Sequence, residues 1–207
     1  MLQGSLPALV TPFTDGALDL ATLKKLVEWH IAEGSNGLVP VGTTGESPTL
    51  THAEHETVVA EVVKAAAGRI PVVAGAGSNN TTESIRLAKH AESVGADAVL
   101  VVTPYYNKPT QEGLYRHFST VADIGLPVVL YNIPGRCNIE ISIDTVKRLA
   151  AHPNIVAVKE STGDIRRITE IIRRTGDRYR IFVGIDDLAV EAFAAGADGW
   201  VAGLVCA

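Results

Sequence analysis

Ala98-Val-Leu-Val-Val-Thr-Pro104 stays apolar, without alternation, until it meets a threonine and a proline. That is the pattern of a strand covered on both faces, as in a parallel sheet wrapped by helices. Seven more short runs share it, at 6–13, 37–42, 71–77, 127–132, 155–160, 180–185 and 199–204. Their starts fall 19 to 34 residues apart, the length of a strand-plus-helix unit. The intervening segments are amphipathic and carry helix-start signals, a capping box in Thr51-His-Ala-Glu54 and a similar cap in Asn80-Thr-Thr-Glu83. Gly34, Gly68, Gly95 and Gly176 punctuate helix ends. Eight such units in one chain predict an α/β fold, a closed (β/α)8 or TIM barrel, as one domain over 1–207. The sequence ends at Ala207, just past the eighth run, so an eighth helix and a C-terminal helical extension are expected to be lacking.

Composition narrows the function. The 207 residues are 46% apolar and carry 18 Lys+Arg against 23 Asp+Glu, for a net charge of −5. With no basic run, this weighs against nucleic acid and against a charged membrane surface. The longest apolar runs are far short of the roughly 20 residues of a spanning helix. The first ten residues lack a signal-peptide pattern, so the expected location is the cytoplasm. Cys137 and Cys206 read as free thiols, and the expected partner is a small molecule.

In a barrel of this kind chemistry gathers where strands end. The run 155–160 ends in Lys159, predicted to share an inward face with Ile155 and Ala157. Burial would depress the lysine pKa and favour the neutral amine that attacks a carbonyl. The alternative is a lysine that snorkels to solvent and pairs with Glu160. Tyr131 is either a proton-transfer phenol or a packed aromatic. Thr43 and Thr44 offer hydroxyls and closely spaced amides to a carboxylate, or else form an ordinary strand-to-helix turn. Arg136, after Pro134-Gly135, either grips a second carboxylate or lies on the surface. Gly75-Ala-Gly77 lacks the spacing of a phosphate loop. His52 and His55 lie three apart on a predicted helix; a solvated face is preferred to a metal site, since no third ligand has suitable spacing.

Together, Val41-Gly-Thr-Thr-Gly-Glu-Ser47, Thr103-Pro-Tyr-Tyr-Asn-Lys-Pro-Thr-Gln-Glu-Gly113, Tyr131-Asn-Ile-Pro-Gly-Arg136 and Val158-Lys-Glu-Ser-Thr-Gly163 resemble, in order and spacing, the pyruvate-dependent class I aldolases. Within them the likeness is to the dihydrodipicolinate (4-hydroxy-tetrahydrodipicolinate) synthase family. The resemblance implies a lyase in which Lys159 condenses with pyruvate and the enamine attacks L-aspartate 4-semialdehyde. It implies that Tyr131, Thr43 and Tyr106 relay protons, Tyr106 arriving from a neighbouring subunit of a homo-oligomer, a dimer or a dimer of dimers. Thr44 would bind the pyruvate carboxylate, Arg136 the semialdehyde's, and Gly184 and Val201 would line the site. L-lysine would act as an effector on Ser47, Pro48, His52, His55, Asn79, Glu83 and Tyr105. No metal or organic cofactor is implied. Gly184-Ile-Asp-Asp187, the bulky Trp200 and Cys206 depart from the family pattern, and another pyruvate-dependent lyase or aldolase, dehydratase or deaminase, such as an N-acetylneuraminate lyase, or an inactive truncated barrel acting as a binding or regulatory protein, are the competing readings.

Overall fold

A computed structural model describes residues 2–204; Cys206 lies outside them. The parallel strands are β1 (Gly4–Pro7), β4 (Val73–Gly75), β5 (Ala98–Val102), β6 (Val128–Asn132), β7 (Ile155–Glu160), β8 (Arg180–Val183) and β9 (Gly199–Ala202), in the order β1-β9-β8-β7-β6-β5-β4. The second apolar run closes the gap between β1 and β4, with Val39 bridging Ala8 and Leu38 bridging Val72. Val39 N donates to Pro7 O at 2.9 Å, Val73 N to Leu38 O at 2.8 Å and Gly75 N to Pro40 O at 3.0 Å. All eight runs therefore enter the barrel wall, the second as bridges only. Pro40 has no N–H to donate, and Val41 adopts φ 49°, so the ladder stops there.

One element departs from the expected reading of the first run. Phe13–Thr14 (β2) and Ala17–Leu18 (β3) form an antiparallel hairpin outside the barrel, turning on Asp15 and Gly16, both at positive φ.

Helices cover the outside: α1 (Leu20–Ala32), α2 (His52–Ala66), α3 (Thr81–Ser93), α4 (Gln111–Ala122), the single turn α5 (Pro134–Cys137), α6 (Ile143–Leu149), α7 (Ile165–Thr175) and α8 (Ala189–Ala194). The Thr51–Glu54 capping box forms as expected, a device worth about 1 kcal/mol. Asn80 caps α3 by accepting from Thr82 N, but Glu83 turns away from its helix toward Ser78 and His52. Among the described residues no helix is long and apolar enough to cross a membrane.

Two apolar layers follow from strand alternation. Val99, Val101, Val128 and Leu130 pack outward against the helices. Leu100, Val129, Ala157, Phe182 and Val201 fill the barrel interior together with Tyr131. A bulge in β7 corrects one expectation: Val128 pairs with Ile155 but Val129 with Ala157, so Ile155 faces outward, away from the side that Ala157 occupies.

Candidate active site

Lys159 is 6% exposed, so the lysine does not reach solvent. Its register partners are Tyr131 on β6 and Phe182 on β8, and its Nζ lies 4.0 Å from the centroid of the Tyr131 ring. The Glu160 side chain is not its counter-ion. Alternation turns Glu160 the other way, where Arg167 and Asn132 meet its carboxylate at 3.1 Å and Thr162 N donates to it at 3.0 Å. Asn132 Oδ1 in turn accepts from Ile141 N. This buried lattice ties the ends of β6 and β7 together directly behind Tyr131 and Lys159.

Burial raises the Tyr131 pKa, while the neighbouring Ser161 and Thr43 hydroxyls and the Arg136 charge pull it back. The phenol is thus protonated near neutrality and bordered by hydroxyls, as a proton relay requires. Gly184 belongs here for steric reasons: a Cβ on it would fall 2.6 Å from Lys159 Cε and 2.0 Å from Ser161 Oγ.

Above this centre opens a cavity of about 250 Å3 lined by Thr43, Leu100, Tyr131, Ile133, Arg136 and Cys137, among others. Its floor depends on Gly75, where a Cβ would lie 2.1 Å from Val41 O, and Gly77, where it would meet Val102 at 2.5 Å. The two glycines serve close packing. Val41 itself is buried, β-branched and left-handed, an uncommon conformation that turns the chain into Thr43 and Thr44. Burial pushes the Cys137 thiol up to about 11, which keeps it a neutral wall residue.

The remaining predicted residues divide. Arg136 is exposed but lines the cavity; Thr44 is exposed beside Thr43 and outside the lining; Val201 is buried in the barrel interior. Trp200 and the aspartate after Ile185 complement each other, because Trp200 Nε1, Gly203 N and Leu204 N all donate to the Asp186 carboxylate. Tyr106, at φ 70° and 90% exposed, stands away from Tyr131.

A second, smaller cavity of about 90 Å3 is lined by Ser47, Pro48, His52, His55, Glu83 and Tyr105. Asn79 is not in this lining; its carbonyl accepts from Asn107 Nδ2. His55 is buried, which corrects the expectation of a solvated face. It shares one side of α2 with Val58, Val59 and Val62, and burial lowers its pKa to about 4. No hydrogen bond of full geometry reaches either ring nitrogen, though the Gly75 backbone on β4 lies near enough to pull the pKa partly back. Hydrogen bonds from Ser78 first, then His52, hold the Glu83 carboxyl below its ordinary value. Among the described residues no cluster of three potential metal ligands occurs. Sequence reasoning missed Ser161, Asn132 and Arg167; only the two-residue spacing of Ser161 from Lys159 signalled its place.

A family model described as the dihydrodipicolinate synthetase family matches residues 1–205. The 4-hydroxy-tetrahydrodipicolinate synthase of Roseobacter denitrificans is 61% identical over 202 residues, covering 97% of this chain and 69% of that protein. A crystal structure of the chloride-inhibited dihydrodipicolinate synthase from Acinetobacter baumannii, complexed with pyruvate, matches with TM-score 0.97 and 48% identity over 100% of this chain and 72% of that one. A structure of the enzyme from Cyanidioschyzon merolae with lysine bound matches with TM-score 0.94 and 39% identity, over 97% and 69% of the two chains.

Proposed function

The chain belongs to the dihydrodipicolinate synthetase family, and from that premise we propose how its own residues perform the family's reaction. The activity is that of a 4-hydroxy-tetrahydrodipicolinate synthase, a Schiff-base lyase that joins pyruvate to L-aspartate 4-semialdehyde. The observation that carries the residue-level reading is the buried Lys159 Nζ held 4.0 Å from the Tyr131 ring centroid.

In this reading Lys159 adds to the ketone of pyruvate and loses water to give a Schiff base. Tyr131, with Thr43 beside it, moves the protons, including the one whose loss gives the enamine. Thr44 and the adjacent amides receive the pyruvate carboxylate. The enamine carbon then attacks the aldehyde while Arg136, at the cavity rim, grips the carboxylate of the second substrate. Gly184 and Val201 bound the space.

Tyr106 projects from this barrel and completes the relay in a second copy, so the working unit is at least a homodimer. The second cavity takes L-lysine as an effector, with Glu83 toward an ammonium group and His55 as an unsatisfied polar neighbour. Ser47, Pro48, Gly77 and Tyr105 line both cavities, which gives the effector a wall in common with the substrates. The buried free thiol of Cys137 suits a reducing compartment, the cytoplasm.

The acceptor is tested by following pyruvate consumption with each candidate aldehyde. Turnover with L-aspartate 4-semialdehyde and none with N-acetylmannosamine is expected; the reverse preference would move the chain to the N-acetylneuraminate lyase branch.

A further inference from the structure

Ser161 follows Lys159 by two residues and is 5% exposed. Its Oγ lies close enough to the Tyr131 phenol to pull its pKa down, but no hydrogen bond of full geometry reaches it. Buried hydroxyls are nearly always paired, so an unpaired one beside a reactive amine calls for a partner that comes and goes. Gly184 brings it beside the lysine. The point where a Gly184 Cβ would project is 2.0 Å from Ser161 Oγ and 2.6 Å from Lys159 Cε, so hydroxyl and amine stem both pack against this glycine and are neighbours of one another. Only a glycine lets them approach so closely.

During Schiff-base formation an oxygen must appear next to the lysine nitrogen, and so near the serine hydroxyl. The Nζ lone pair forms a C–N bond to the ketone carbon as the carbonyl π pair moves onto oxygen. A proton passes from nitrogen to that oxygen, giving a neutral carbinolamine. Protonation of its hydroxyl then lets the C–O bond break, water departs, and the nitrogen lone pair completes C=N as an iminium. We propose that Ser161 is a further catalytic residue of this step, its hydroxyl donating a hydrogen bond to the carbinolamine oxygen as that oxygen gains its proton and leaves. Tyr131 supplies the proton; Ser161 keeps its own. The inference rests on Lys159 being the nucleophile.

The test is timed borohydride trapping of the pyruvate adduct in the full chain, wild type against Ser161→Ala, with Tm measured in parallel. The expected result is adduct formation about tenfold slower, the worth of one hydrogen bond, with Tm unchanged or raised because an unpaired polar group has been removed. A Ser161→Cys variant, nearly isosteric and a weaker donor, should fall between. Adduct formation at the wild-type rate in Ser161→Ala would overturn the role, as would slowing accompanied by a lowered Tm in both variants, the signature of damaged packing. A wild-type chain that forms no adduct at all would instead overturn the nucleophile reading, and this inference with it.

Discussion

Lys159 and Tyr131 are direct register partners on neighbouring strands, and the amine nitrogen sits 4.0 Å from the centroid of the phenol ring. The ring face lies under the amine, so the pair holds the nucleophile against the group that moves its protons. Tyr131→Phe keeps the ring and removes the relay. We expect kcat to fall by about 100-fold or more with circular dichroism unchanged; near-normal turnover would assign the relay elsewhere.

Gly184 is required by crowding, not by backbone conformation. An alanine there would press on Lys159 Cε and Ser161 Oγ. Gly184→Ala should abolish pyruvate adduct formation in a protein that still folds. Gly135→Ala is the control, because a Cβ there meets nothing within 4 Å. Equal adduct yields from the two variants would contradict the packing argument.

Two histidines make stability depend on pH. Burial lowers both His55 and His117 to about 4 from an ordinary value of 6.5. Below pH 6.5 the unfolded chain binds protons that the folded chain refuses, so stability is complete above that value and falls as pH drops toward 4. Each site contributes on the order of 3 kcal/mol across this window. Thermal melts should show Tm descending between pH 6.5 and 4, and less steeply in His117→Gln, which can keep a hydrogen bond to Thr81. A flat Tm over that range would remove the claim.

L-lysine should lower turnover and raise Tm, and Glu83→Gln should blunt both effects without altering the uninhibited rate. The charge of Glu83 faces the smaller cavity, and its loss removes the partner for an ammonium group. Inhibition of equal strength in the variant would place the effector elsewhere.

Much of this was legible in the sequence, for identifiable reasons. The eight apolar runs were visible because strands covered on both faces are apolar throughout. The second run was harder to read as a strand, since Pro40 and the left-handed Val41 reduce it to bridges. The β2–β3 hairpin went unread, because two residues a side are too few to show alternation. Tyr131 and Lys159 could be singled out because strand ends are where polar residues interrupt apolar runs, and Arg136 because it follows Pro134-Gly135 just beyond β6. Burial of His55 was hidden, because one imidazole on a helical face looks the same whether it meets solvent or β4. The Glu160–Arg167–Asn132 lattice was hidden because its members lie on three different elements. Ile155 was misassigned because a bulge inserts one residue and reverses the strand's alternation.

The most direct test of the central claim is the intact mass of the chain after incubation with pyruvate and borohydride, followed by peptide mapping and a Lys159→Ala control. The account predicts one reduced pyruvyl adduct, on Lys159 and absent from the variant. An unmodified wild-type chain that is folded, or an adduct that persists in Lys159→Ala, would contradict it.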